Sequence, residues 1–192
     1  MRQLIRKFLK RDHLIEHISK FFSPIAAVFL LLIGLYVLLN RQLFLGAFSI
    51  ISLELFSPFS VEASAPIGAV AGLDIFSLIF ILVFVNVAAT LFVLWNFELL
   101  KHVPKLGKYL DKFDKRIVKL VKKHRLEHIS FFGLFLYFLS PLQASGAFTV
   151  AIIGKLLHME EKKILFIVII GTIIGVLIFS SPIYGIKLFF RI

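Results

Sequence analysis

A carboxylate stands where an apolar run should exclude it. Glu62 lies in Ser57-Pro58-Phe59-Ser60-Val61-Glu62-Ala63-Ser64-Ala65-Pro66, inside a long hydrophobic stretch. An ionisable group at bilayer depth is costly and marks a functional site by default. One chemistry is proton coupling, or ligation of a substrate cation. The other is structural, with the carboxylate capping backbone N–H groups of a facing half-helix. The pattern recurs at Ser140-Pro141-Leu142-Gln143-Ala144-Ser145-Gly146. Glu62-Ala63-Ser64-Ala65 matches Gln143-Ala144-Ser145-Gly146, which reads as an internal repeat with an acid in one copy and its amide in the other. The two tips are expected to meet near midplane. There Gln143 could hydrogen-bond Glu62 in either protonation state.

Other candidates surround these two. Ser64, Ser145 and Thr149 suit an anion approaching half-helix N-termini, whose free N–H groups carry positive partial charge. They equally suit close packing of small residues. Glu54 is either a second titrating group or, preferred here, a side chain that snorkels or pairs near the outer surface. Pro58, Pro66, Pro141 and Gly146 are expected to shape the hairpin tips, and Asp74 to cap a following helix. His13-Leu14-Ile15-Glu16-His17 and His124-Arg125-Leu126-Glu127-His128 both fit the zinc-peptidase spacing H-x-x-E-H. Both are followed by Ile-Ser and enter an apolar run, so they read better as a repeated juxtamembrane joint. No third ligand is placed, and neither metal nor cofactor is expected.

These residues need elements that hold them in a membrane. Of 192 residues 59% are hydrophobic, which several membrane segments explain and a soluble domain does not. Residues 1–20 read as a basic amphipathic helix, 21–39 as a span, and 42–73 as a re-entrant hairpin broken at its prolines. A span over 75–97 follows, then a basic amphipathic helix over 101–128, a second re-entrant hairpin over 129–157 and a span over 164–186. The fold class is therefore all-α integral membrane, a single domain, with two hairpin-plus-span units after an extra N-terminal span. The net charge of +11 sits mainly outside the apolar runs. Basic segments stay cytoplasmic, which places the N-terminus inside and makes the two hairpins enter from opposite sides, an inverted repeat. The cytoplasmic membrane is the expected location. Expected partners are anionic lipid headgroups at the basic helices, protons as coupling ion and a second copy of the chain; nucleic acid is not, since groove-reading motifs are absent. With no cysteine, thiolate chemistry and disulfides are excluded.

The run Pro141-Leu142-Gln143-Ala144-Ser145-Gly146-Ala147-Phe148-Thr149 resembles the proline–(four residues)–glycine–alanine–aromatic–threonine signature of the small multi-drug export protein family. That family resembles a distant branch of the DedA/VTT membrane protein superfamily, whose first-hairpin motif is similar to Pro58, Glu62 and Pro66. The resemblance covers roughly residues 52–186. The superfamily implies a flippase moving a lipid-linked phosphate, polyprenyl phosphate or phospholipid, between leaflets with proton coupling. The family name implies the alternative, proton-coupled export of cationic hydrophobic compounds. Either is a transporter, not an enzyme. Where relatives carry an Arg after the first-hairpin Glu, this chain has Ala63-Ser64-Ala65, and the most obvious phosphate-binding cation is missing.

Overall fold

Seven helices account for nearly all the backbone of the described residues in a computed structural model. It describes residues 11–56, 61–101, 127–139 and 146–190, with side chains over 18–56, 61–99, 131–139 and 146–190. In chain order they are α1 (Arg11–Leu38), α2 (Arg41–Phe56), α3 (Val61–Val70), α4 (Ile75–Lys101), α5 (Glu127–Leu139), α6 (Ala147–Leu156) and α7 (Glu161–Phe190). No strand occurs among the described residues. Residues 1–10, most of the basic segment over 101–128, and both H-x-x-E-H side-chain sets lie outside the described residues.

Among the described residues, three helices are long and apolar enough to cross a bilayer, within α1, α4 and α7. The chain is a helical membrane protein. Burial ranks the three: 56% of the apolar window of α4 and 44% of that of α7 is covered, against 11% for α1. α4 and α7 therefore form the centre, and α1 leans on its edge. α1 passes from Lys20 to Phe21 without a break, so surface segment and span share one helix. The others are short. At ~1.5 Å per residue, α2 rises about 24 Å, α5 about 20 Å and α3 and α6 about 15 Å each, all less than a hydrocarbon core of about 30 Å.

Prolines inside helices free a carbonyl four residues back, and a membrane interior offers no water to satisfy it. Pro24 frees Lys20 O, and the Asn96 side chain of α4 donates to it at 3.3 Å. This ties α1 to the central pair. Pro182 frees Ile178 O, which accepts from Ser181 Oγ at 3.1 Å.

α2 and α3 pack antiparallel as a hairpin. Gly46 faces Ala71, Gly68 faces Ile50, and Ser64 donates to Glu54. The missing Cβ atoms permit the approach: one on Gly46 would stand 2.5 Å from Ala71 Cβ. Asn40 caps α2 through the Leu43 N–H at 2.9 Å. At its far end α3 closes in a Schellman turn, with Leu73 N donating to Gly68 O and Gly72 N to Ala69 O, and Gly72 supplying φ +96°. Asp74 then caps α4, accepting from the Phe76 and Ser77 N–H groups at 3.0 Å, as expected.

The same three-helix order returns at a fixed spacing. Arg41 and Glu127, Val61 and Ala147, and Ile75 and Glu161 begin equivalent helices, and each pair is 86 residues apart. α6 ends in the same turn as α3, with Met159 N on Gly154 O, His158 N on Lys155 O and His158 at φ 55° in place of Gly72. The space for Gly68 is closed by Leu78, and that for Gly154 by Ile164. The short helices pack crosswise: α3 lies on α7 and α6 on α4.

Candidate functional site

The central helices meet through a buried polar contact. Asn86 of α4 donates from Nδ2 to Thr172 Oγ1 of α7 at 3.2 Å. The two are 86 residues apart and so hold equivalent places in the repeat. The two copies of the repeat therefore meet at this contact. One turn along α4, Thr90 is fully buried and its hydroxyl has no hydrogen-bond partner among the described residues. The lone polar positions on α4 were visible in its sequence. Their partner was not, because Thr172 stands in an apolar run with only Gly171 and Gly175 beside it.

Helix ends from both halves of the chain arrive at this level. Phe138, at the end of α5, packs on Gly171, and Val61, at the start of α3, packs on Gly175. One turn of α7 thus receives the flanks of both tips. The tips themselves, including Pro58, Pro141, Gln143 and Ser145, lie outside the described residues.

Glu62 sits in the first turn of α3, where the helix dipole favours an anion. It is half-buried, and its Oε1 is buried without a hydrogen-bond partner among the described residues. Pro66 is not a tip residue, contrary to expectation, but lies inside α3. Its missing N–H withdraws the usual partner of the Glu62 carbonyl. Glu62 therefore offers acceptors from both side chain and backbone.

Glu54 departs from the surface position preferred for it. It is buried at 8% exposure, and Ser64 Oγ donates to its Oε1 at 2.7 Å, with Ser64 itself fully buried. The hairpin places this pair across its two limbs, one turn from the tip. Sequence spacing alone could not show it, since the pairing depends on where the limbs turn.

The second copy holds no matching acid. In the helix register the equivalent of Glu62 is Phe148, five residues after Gln143. Gly146 is the N-cap of α6, without a side-chain cap bond, and Thr149 follows half-buried in its first turn.

Phe148 lines a cavity of about 480 Å³ between α1, α2, α4 and α6. Pro24, Val28 and Phe29 form one wall, Phe48, Ile51 and Phe56 another, and Ala88, Ala89 and Phe92 the back. Among the described residues lining it the one polar side chain is Ser52, whose hydroxyl donates to Phe48 O at 2.8 Å. The volume suits a drug-sized ligand, and the lining offers it apolar and aromatic contact.

Residues 61–178 match the family model described as "Putative small multi-drug export protein". The chain belongs to this small multi-drug export family. The match begins at the first residue of α3 and ends within α7, so it takes in Glu62, the central polar contact and the second repeat. Neither the curated proteins nor the solved structures contain a match to the chain. Among the described residues no group of three or more His, Cys, Asp or Glu could hold a metal.

Proposed function

We propose that this membrane protein exports small hydrophobic compounds, cations among them, with Glu62 as the proton-coupling carboxylate. The carrying observation is the apolar cavity walled by Phe29, Phe48, Phe56, Phe92 and Phe148. Aromatic faces attract organic cations and accept apolar bodies alike. Family membership supports the same reading. None of the described residues lining the cavity is a cation that would favour the lipid-linked phosphate implied by the superfamily resemblance.

Glu62 and Phe148 are repeat-equivalent, on α3 and α6, which pack on α7 and α4, the two helices joined by the Asn86–Thr172 contact. The proton site and the substrate cavity then communicate through the central pair. Oε1 of Glu62 is buried with no hydrogen-bond partner among the described residues, which leaves an acceptor open to a proton or a cation. Glu54 with Ser64 fixes the shape of the acidic hairpin. Thr149 stands in the first turn of α6, the helix equivalent to that of Glu62.

The crosswise packing of short on long helices supports an inverted repeat in which both hairpins are re-entrant. The basic segments put the N-terminus in the cytoplasm and dock on anionic lipid of the cytoplasmic membrane. The protein is a carrier, not an enzyme. Proteoliposomes with an imposed proton gradient test the proposal. Gradient-driven movement of a hydrophobic cationic dye is expected, and exchange of labelled phospholipid between leaflets without dye movement would replace it.

A further inference from the structure

The apolar cavity has a closed back and an open side. Ile51, Ala88 and Ala89, which line it, are buried. Between α1 and α2 its walls are exposed instead, through Ile25 and Phe29 of α1 and Phe48 of α2. Along α1 the gap is bounded at both ends. Phe21 meets Phe92 of α4 with ring centroids 5.3 Å apart, and beside it Lys20 O accepts from Asn96. Tyr36 meets Phe44 of α2, also at 5.3 Å. α1 is thus held to its neighbours at two levels about 22 Å apart along its axis, with the cavity-lining residues Pro24 to Leu32 between them.

The depth of this opening decides what it faces. Val28 and Ala88 stand near the middle of the apolar windows Ile18–Leu38 and Ile75–Leu99. The opening therefore lies at mid-depth of two spans, beside a helix that protein covers over only 11% of its window. Hydrocarbon surrounds such a helix. Water has little hold on the cavity, since a buried water needs several polar partners. Among the described lining residues only Ser52 carries a polar side chain, and its hydroxyl is donated to Phe48 O. An acyl chain needs no hydrogen bond and gains contact with every wall.

We infer that the cavity is a side window on the bilayer core, filled by a phospholipid acyl chain until a hydrophobic compound dissolved in the same core displaces it. The displacement rests on the export reading; the window and its chain do not. Access then selects for solubility in hydrocarbon before any contact is made inside, so a compound confined to water does not reach the cavity however well it would fit.

The chain has one tryptophan, Trp95, which is not among the lining residues, so a single reporter can be moved into the cavity. In a Trp95→Phe background, Phe92→Trp and Ala89→Trp each place it on the back wall, and Phe80→Trp places it on the exposed face of the same helix as a lipid-facing reference. Fluorescence is measured in bilayers of phosphatidylcholine brominated at mid-chain, with acrylamide as the aqueous quencher and tetraphenylphosphonium as the hydrophobic-cation probe. The brominated lipid should quench both back-wall reporters nearly as far as the reference, and acrylamide should quench them little. Tetraphenylphosphonium should restore emission at the back wall and leave the reference unchanged. Either monodisperse back-wall variant suffices. Stronger quenching by acrylamide than by lipid overturns the window, since the cavity would then open to water. Protection from both quenchers also overturns it, because protein, a second copy of the chain included, would then cover the opening. Lipid quenching that the probe does not relieve, in protein that moves no dye, would retain the window with its acyl chain and remove the export reading.

Discussion

Asp74 shows how one carboxylate sets a helix boundary at the edge of a membrane. The Ser77 side chain and then the Ser77 N–H lower its pKa; slight burial opposes them, and the Phe76 N–H adds to them. A carboxyl depressed in the folded state contributes stability above its unfolded pKa, and loses it as pH falls through the lower folded value. The contribution of Asp74 should thus be complete at neutral pH and fade only below the ordinary carboxylate range. Asp74→Ala should cost about 1 kcal/mol, as loss of an N-cap does, and Asp74→Asn much less. Melting of both variants in one detergent, at pH 7 and at pH 3, checks this: the Asp74→Ala deficit should shrink at the lower pH. Ser64→Ala takes one donor from buried Glu54 and should cost about 1–3 kcal/mol in the same assay. Legibility at this scale divided by range. The cap at Asp74 depends on residues within one turn and could be read from the sequence. The Glu54–Ser64 pair depends on a hairpin's register, and that depends on which residues form the turn.

Among elements, α7 works as a rail whose glycines admit neighbours from both halves of the chain. A Cβ on Gly171 would overlap the Phe138 ring, while one on Gly175 would stand 3.0 Å from Val61 Cγ1. Gly171→Ala should therefore destabilise by about 1–3 kcal/mol, an overpacking cost, and Gly175→Ala by less. Phe138→Leu should relieve part of the first penalty, and the double-mutant cycle should show coupling. Thermal unfolding of the four proteins decides it; additive losses would mean that Phe138 does not bear on Gly171. The interrupted apolar runs and their prolines announced short helices and hairpins. They did not reveal the repeat register, which the constant spacing of the helix starts sets. Matching Glu62 to Gln143 followed the tip chemistry; the helix starts match Glu62 to Phe148. Pro66 misled for a related reason, since a proline in a membrane helix looks like a turn until neighbouring helices are known to support it.

For the molecule as a whole, three spans were legible because about 20 uninterrupted apolar residues have few other uses. The cavity was not, since its walls come from four elements far apart in the chain, each lined by unremarkable Phe, Ile and Ala. The proposed opposite entry of the hairpins gives a labelling pattern. Cysteines placed at Asn40 and Asp74, which flank the first hairpin, should react with an impermeant maleimide from outside the cell. One at His158, beside the second hairpin, should react only from the cytoplasmic side. Labelling of all three from the same side would remove the inverted arrangement.

The central claim is that Glu62 carries the coupling proton. Glu62→Gln keeps the shape of the side chain and fixes it neutral, so the protein should fold and melt at or above the native temperature. Dye movement by native protein and variant, reconstituted at equal density, is measured against pH under an imposed proton gradient. The native protein should transport with a clear pH dependence. Glu62→Gln should lose gradient-driven transport and its pH dependence while keeping dye binding. Normal, pH-dependent transport by Glu62→Gln would contradict the account.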